Sequence, residues 1–162
     1  MPKPSDADND RSIDEITTTT HLVKGEDLNH HQTLYAGRCV EWCVQAAYIA
    51  AESCFDAATP VVFMSIRQLS MRSPARLGEL IRFQGSVDYV GASTIGIRID
   101  VHAVQPRHDQ RAIATGRFLF CTVDENGKAV AHGLPEKEPA ARGAASKWKE
   151  AAEIQPGVTI DH

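Results

Sequence analysis

The apolar positions between residues 37 and 54 predict one long helix that is buried on two sides. At about 100° per residue, one face carries Val40, Cys43, Val44, Ala47, Ala50, Ala51 and Cys54. The opposite side carries Trp42, Ala46 and Ile49, and the narrow polar stripe between them carries Glu41, Gln45, Tyr48 and Glu52. A helix that is apolar on both sides is normally a buried one. A carboxylate on such a helix needs a partner or a chemical role.

The chain after this helix alternates between apolar and polar residues, which predicts antiparallel strands. The apolar positions of the clearest alternation are Ile81, Phe83, Gly85, Val87 and Tyr89. A second alternation covers 95–103, and further strands are predicted at 13–23, 61–71 and 112–123. Short turns such as Gly91-Ala92-Ser93 separate neighbouring strands, as in an antiparallel meander. One buried helix followed by such a sheet indicates an α+β fold in which the sheet wraps the helix.

The composition of the two ends predicts one domain with a tail on each side. Residues 1–12 are polar and contain two prolines, so we expect a disordered lead. The domain is predicted to cover 13–135. The chain turns polar and rich in alanine after residue 136, so 136–162 is predicted to be a partly ordered, partly helical extension, with a short amphipathic helix at 146–153.

Charge and cysteine content narrow the classes of function. The 162-residue chain has a formal net charge of -4, which argues against binding to nucleic acid or to an anionic membrane surface. No apolar run approaches the roughly 18–20 residues of a membrane span, and the first residues lack the apolar segment of a signal peptide, so we expect a cytoplasmic protein. Three of the four cysteines fall on the predicted helix without metal-ligand spacing, which indicates free buried thiols and no metal site.

Three stretches of this chain, taken together, resemble the hotdog-fold acyl-CoA thioesterases over about residues 18–135. The first combines the loop Asn29-His30-His31-Gln32-Thr33-Leu34-Tyr35-Ala36-Gly37 with the helix stretch Glu41-Trp42-Cys43-Val44-Gln45-Ala46-Ala47. The others are Ser73-Pro74-Ala75-Arg76-Leu77-Gly78-Glu79 and Tyr89-Val90-Gly91-Ala92-Ser93-Thr94. The resemblance implies a long central helix wrapped by a five- to six-stranded antiparallel sheet. It also implies a homodimer or a higher oligomer, such as a tetramer or hexamer, in which two such helices lie side by side.

The chain departs from the family pattern at the position of the usual catalytic acid. Many relatives carry an aspartate where this chain has Val44, and Gln32 and Ala36 replace two expected glycines. Glu41 lies one turn before Val44, nearer the start of the helix, so it is the leading replacement as general base or nucleophile. The alternative role for Glu41 is that of a paired or solvent-facing carboxylate on the polar stripe.

The remaining candidate residues divide into three groups. Asn29 and Gln45 join Glu41 as candidate catalytic residues that orient water or the carbonyl, although a loop asparagine commonly caps its own turn and Gln45 is equally suited to an interface hydrogen bond. The start of the helix, with its free N–H groups, suits a developing oxyanion, and the residues assigned to it or to the substrate are Ala36, Gly37, His30 and His31. The residues assigned to coenzyme A are Arg72, Arg76, Gly91, Ser93 and Thr94, and solvated surface arginines are the alternative for the first two.

These residues predict the hydrolysis of an acyl-CoA thioester at a site between two subunits. No cofactor is expected beyond the coenzyme A of the substrate. A hotdog β-hydroxyacyl-thioester dehydratase is one alternative, because a loop histidine, His30 or His31, would pair with Glu41 there. A non-catalytic acyl-CoA-binding protein is the other alternative, favoured by Val44.

Overall fold

The structure, a computed structural model, describes residues 13–56, 58–107, 109–139, 148–149, 151 and 153–160. The predicted lead at 1–12 lies outside the described residues, as does half of the predicted short helix at 146–153. The residues of that segment that are described, 148, 149, 151 and 153, have 3-10 helical geometry.

One helix and five strands form the domain. The helix α1 spans Ala36–Glu52, close to the predicted 37–54. The strands are β1 (Thr17–Leu22), β2 (Val61–Met71), β3 (Leu80–Val90), β4 (Thr94–Val104) and β5 (Arg111–Thr122). Each of them corresponds to a strand predicted from alternation or β-branched content.

All strand pairs are antiparallel, in the order β1-β3-β4-β5-β2. The strands β3, β4 and β5 are consecutive neighbours, as expected for a meander. β1 pairs with β3 and β2 pairs with β5, so β1 and β2 form the two edges of the described sheet. The predicted α+β hotdog fold, with a helix wrapped by a five-stranded antiparallel sheet, is confirmed.

The helix packs against the inner face of the sheet through small side chains. Its buried residues are Cys39, Trp42, Cys43, Ala46, Ala47, Ala50 and Ala51. Trp42 is covered within the chain, because His21 of β1 stacks on its ring at a centroid distance of 4.4 Å. Ile49 is 46% exposed. Burial of this side of the helix within the chain therefore holds for Trp42, whereas burial of Ile49 stays a prediction for an assembly of chains.

The strict alternation predicted for β3 breaks near its end. A register shift between Val87 and Tyr89 places two residues of β3 opposite one residue of β4, which is a β-bulge. Tyr89 therefore leaves the inner face and stacks on Trp148 outside the sheet, at a centroid distance of 5.6 Å. Its predicted position beside Ile81 and Phe83 is wrong for this reason.

The described part of the C-terminal extension packs against the outer face of the sheet. Trp148, Ala151 and Ile160 are buried. The Trp148 indole N–H donates to Asp88 Oδ2 at 3.0 Å, and Ser93 Oγ donates to the carbonyl oxygen of Ile154 at 2.6 Å. The segment is polar on average, but its buried apolar side chains attach it to the sheet.

Candidate active site

Asn29 organises the loop that leads into the helix. Its side-chain oxygen accepts the backbone N–H groups of His31 and Thr33 at 2.9 and 3.2 Å, and its amide nitrogen donates to Thr33 Oγ1 at 3.1 Å. Between them sits Gln32 with a φ of 61°, a conformation that glycine adopts without strain. This positive φ explains why a glycine is expected at position 32. The bonds of Asn29 favour its turn-capping role over the positioning of water.

A second loop lies beside this one and carries one of the candidate arginines. Leu34 N–H donates to the carbonyl oxygen of Ala75 at 2.8 Å, and Thr33 and Arg76 form an isolated β-bridge. The Arg76 backbone N–H donates to Glu79 Oε2 at 2.7 Å. Because Glu79 is also ion-paired with Arg111 of β5, the loop is tied to the sheet and the exposed Arg76 is held next to the Asn29 loop.

The helix begins without a side-chain cap. Tyr35 is its N-cap residue, and its side chain makes no capping hydrogen bond. The first N–H groups of the helix have no intrahelical partners. Gly37 is exposed, and a Cβ atom there would lie 2.5 Å from the Tyr35 ring. The ring of Tyr35 thus covers one side of Gly37.

A polar cavity of about 340 Å³ opens at this end of the helix. Its lining comprises Glu26, Asp27, Leu28, Tyr35, Gly37, Arg38 and Glu41. Two of the predicted site residues, Gly37 and Glu41, therefore share one cavity. Sequence reasoning missed Asp27 and Arg38, although the three-residue spacing of Arg38 and Glu41 on a helix is a readable ion-pair signal.

Glu41 is half exposed and lies between two polar neighbours on its own helix. Arg38 Nη1 donates to Glu41 Oε2 at 2.9 Å, and Gln45 Nε2 donates to Glu41 Oε1 at 3.4 Å. Arg38 also pairs with Asp27, whose side chain is only 4% exposed. The Glu41 carboxylate is therefore paired on the helix surface, as the alternative role for Glu41 expects, and Gln45 of the polar stripe contacts it directly.

An apolar cavity of about 430 Å³ follows along the same helix. Its lining comprises Val44, Gln45, Tyr48, Ile49, Phe63 and Phe120. Three aromatic rings therefore line the same cavity as Val44. Gln45 belongs to this cavity and to the Glu41 contact, so it joins the polar and apolar cavities.

The other predicted coenzyme A residues lie at the opposite end of the sheet. Gly91 and Ser93 lie in the β3–β4 turn, and Thr94 begins β4. The 11-residue strand β3 separates them from the loop of Arg76, a distance of roughly 30 Å. Ser93 and Thr94 are 0% and 1% exposed. A single chain does not bring this turn together with Glu41.

Neither loop histidine pairs with Glu41 among the described residues. His30 and His31 are exposed and lie against each other, with ring centroids 3.9 Å apart. In the part of the chain that the structure describes, no group of three His, Cys, Asp or Glu side chains could hold a metal ion. No helix within those residues is long and apolar enough to span a membrane.

Comparison with known proteins identifies the class of fold. The family model of the Thioesterase superfamily matches residues 31–108. A hexameric acyl-CoA thioesterase solved without ligand is 24% identical, with a TM-score of 0.68 over 86% of this chain and 87% of that one. An acyl-CoA hydrolase from Staphylococcus aureus, solved with butyryl coenzyme A, coenzyme A and coenzyme A disulfide, is 20% identical, with a TM-score of 0.68 over 86% and 83% of the two chains.

An acyl-CoA hydrolase from Bacillus cereus is 21% identical, with a TM-score of 0.68 over 86% of this chain and 80% of that one. No match was found among curated protein sequences. The structural matches establish the hotdog fold, and the family match confirms the resemblance to the thioesterase superfamily that the sequence indicated.

Proposed function

We propose that this chain hydrolyses the thioester bond of an acyl-CoA to a free acid and coenzyme A. The observation that carries the proposal is the cavity in which Glu41 lies beside the uncapped start of α1 at Gly37. A carboxylate beside free, dipole-aligned N–H groups offers a base and an oxyanion site within one space. The solved relatives with this fold are described as acyl-CoA hydrolases, which agrees with this chemistry.

In the proposed mechanism Glu41 acts as the general base. Its carboxylate takes a proton from a water molecule as the water oxygen adds to the thioester carbon. The N–H groups around Ala36 and Gly37 stabilise the resulting oxyanion, and collapse of the intermediate breaks the carbon–sulfur bond. The departing thiolate of coenzyme A then takes the proton back from Glu41, so that one water is consumed per thioester. Direct attack by Glu41 through an acyl-carboxylate intermediate is the nucleophilic variant of the same proposal.

The site is proposed to be completed by a second copy of the chain. Tyr48, Ile49 and Phe63 are 39%, 46% and 41% exposed around the apolar cavity, which is a large apolar surface for a soluble single chain. A dimer that covers it would bring Glu41 near the interface. A second subunit also offers a way for a distant element, such as the Gly91–Thr94 turn, to approach the cavity of the first.

Coenzyme A would be held by its phosphates. Arg76 is exposed beside the Asn29 loop, and Arg72 lies with Arg76 on the connection between β2 and β3. Guanidinium groups there can make bidentate contacts with phosphate. The substrate supplies coenzyme A itself, and no further cofactor is proposed. The cytoplasmic location expected from the sequence stays a prediction.

A non-catalytic acyl-CoA-binding protein is the second candidate, and Val44 favours it. The carboxylate that many relatives carry there is replaced by a side chain that lines the apolar cavity. Under this reading Val44→Asp is expected to create turnover that the natural chain lacks. The dehydratase alternative has less support, because no hydrogen bond joins His30 or His31 to Glu41 within the described residues.

One screen separates the three functions. The chain is incubated with short, long and aromatic acyl-CoAs, free thiol is measured, and enoyl absorbance is recorded with β-hydroxyacyl-CoAs. Hydrolysis releases thiol in proportion to free acid. Enoyl absorbance without thiol would replace the proposal with dehydration, and tight binding of acyl-CoA without either product would replace it with the binding protein.

A further inference from the structure

Arg38 is the side chain that joins the buried floor of the polar cavity to Glu41 on its rim. Its Nε lies 3.3 Å from Asp27 Oδ1, and its Nη1 donates to Glu41 Oε2 at 2.9 Å. The guanidinium is planar, so two nitrogens that are fixed on different partners define its orientation. Arg38 therefore bridges two carboxylates of unequal exposure.

Asp27 is the fixed end of this bridge. Its side chain is 4% exposed, and its other oxygen, Oδ2, accepts the Lys24 backbone N–H at 2.9 Å. The residue is anchored further because its carbonyl oxygen accepts the Tyr35 N–H at 2.8 Å, immediately before α1. A buried carboxylate with these bonds is costly to leave without a cation, so it holds Arg38 in place.

Glu41 is the exposed end of the bridge. Its side chain is 50% exposed, and a free glutamate of that exposure samples several rotamers. Arg38 at Oε2 and Gln45 at Oε1 restrict it from both sides. The surface ion pair adds little stability by itself, whereas a fixed carboxylate has a direct kinetic value, because catalysis depends on placement within a fraction of an ångström.

We infer that Arg38, held by the buried Asp27, is a positioning residue that orients the Glu41 carboxylate toward the start of α1. This inference rests on the proposed hydrolysis and names a residue outside the set assigned from the sequence. It predicts a loss of turnover that acts through Glu41, without a comparable loss of substrate binding. The loss of stability that follows from leaving Asp27 without its cation is measured separately, as the melting temperature.

The test uses kinetic constants and melting temperatures of the full chain. Arg38→Gln removes the bridge, and Asp27→Asn removes its anchor while keeping an oxygen for the Lys24 N–H. The matched control is Arg98→Gln, because Arg98 has the same 39% side-chain exposure and pairs with Asp100 on β4, outside the cavity. We expect Arg38→Gln to lower kcat by roughly ten- to a hundredfold, the scale of a misplaced catalytic group. Asp27→Asn should lower it less, and Arg98→Gln should leave it unchanged.

A double-mutant cycle distinguishes positioning from general damage. In a Glu41→Gln background, Arg38→Gln should lower kcat by no more than about threefold, because residues acting through one another are not additive. KM should change by less than about threefold in Arg38→Gln, since the loss is confined to the transition state. Equal kcat values in Arg38→Gln and Arg98→Gln, or fully multiplicative losses in the double variant, would overturn the inference while leaving hydrolysis intact. Absence of thioester hydrolysis in the natural chain would instead overturn the proposed function, and this inference with it.

Discussion

Replacing Trp148 by alanine tests whether the C-terminal extension is part of the folded domain. Its ring is 2% exposed, stacks on Tyr89 and donates a hydrogen bond to Asp88. Burial of an aromatic side chain removes about 150–250 Å² from water, worth roughly 4–6 kcal/mol at about 25 cal/mol per Å². This is an upper value, because the unfolded chain already hides part of that surface. Measured Trp→Ala losses of about 3–5 kcal/mol set the expected decrease in the free energy of unfolding.

The decrease is measured by thermal and urea unfolding, with fluorescence of the buried Trp42 as the probe. For a domain of this size, the expected loss corresponds to a decrease in melting temperature of roughly 6–20 °C. Trp148→Phe is the matched control, since it keeps a ring against Tyr89. It loses the N–H bond to Asp88, worth about 1–3 kcal/mol, and the part of the indole that exceeds a phenyl ring. A melting temperature of Trp148→Ala within about 2 °C of the natural chain, a shift below 1 kcal/mol, would refute the packing described for this segment.

Four further predictions concern strain, pH, the first residues and assembly. Gln32→Gly should raise the free energy of unfolding by up to about 1 kcal/mol in urea titrations, because it relieves the positive φ, whereas Gln32→Val should lower it. Burial lowers the pKa of His132 from its ordinary 6.5, so on acidification the unfolded chain binds this proton at a higher pH than the folded chain does. The free energy of unfolding should therefore fall as the pH decreases below about 6.5, and it should fall less steeply in His132→Gln. Deletion of 1–12 should leave the melting temperature and any thioesterase activity nearly unchanged, and a large decrease would show that this segment docks on the domain. Sedimentation at micromolar concentration should give a dimer or larger species, and a monomer would contradict the shared site.

The fold was predictable because its strands have a strong local signal. The alternation in β3 and β4 predicted both strands and their antiparallel pairing from the chain alone. The error at Tyr89 came from the β-bulge after Val87, which shifts a side chain to the other face without any change in composition. Local periodicity does not show where Trp148 packs, and its ring provides the apolar partner for the displaced Tyr89.

The candidate site was predictable only in part. The polar stripe on an otherwise apolar helix indicated Glu41 and Gln45, and the structure brings these two into contact. Asp27 lay outside the prediction because its burial depends on how the loop before α1 folds back, which involves no periodic pattern. Likewise, the distance of Ser93 from Glu41 follows from the length of β3 and not from the motif around the turn.

Turnover of the best acyl-CoA by Glu41→Gln tests the central claim most directly. Glutamine keeps the size of the side chain and removes its charge and basicity. Glu52→Gln makes the same change on the same polar stripe, about three turns further along α1. If Glu41 is the base, thiol release should fall at least about a hundredfold, the scale lost with a general base, with acyl-CoA binding largely kept and Glu52→Gln unaffected. Full activity of Glu41→Gln on that substrate would contradict the account and leave Glu41 with a structural role only.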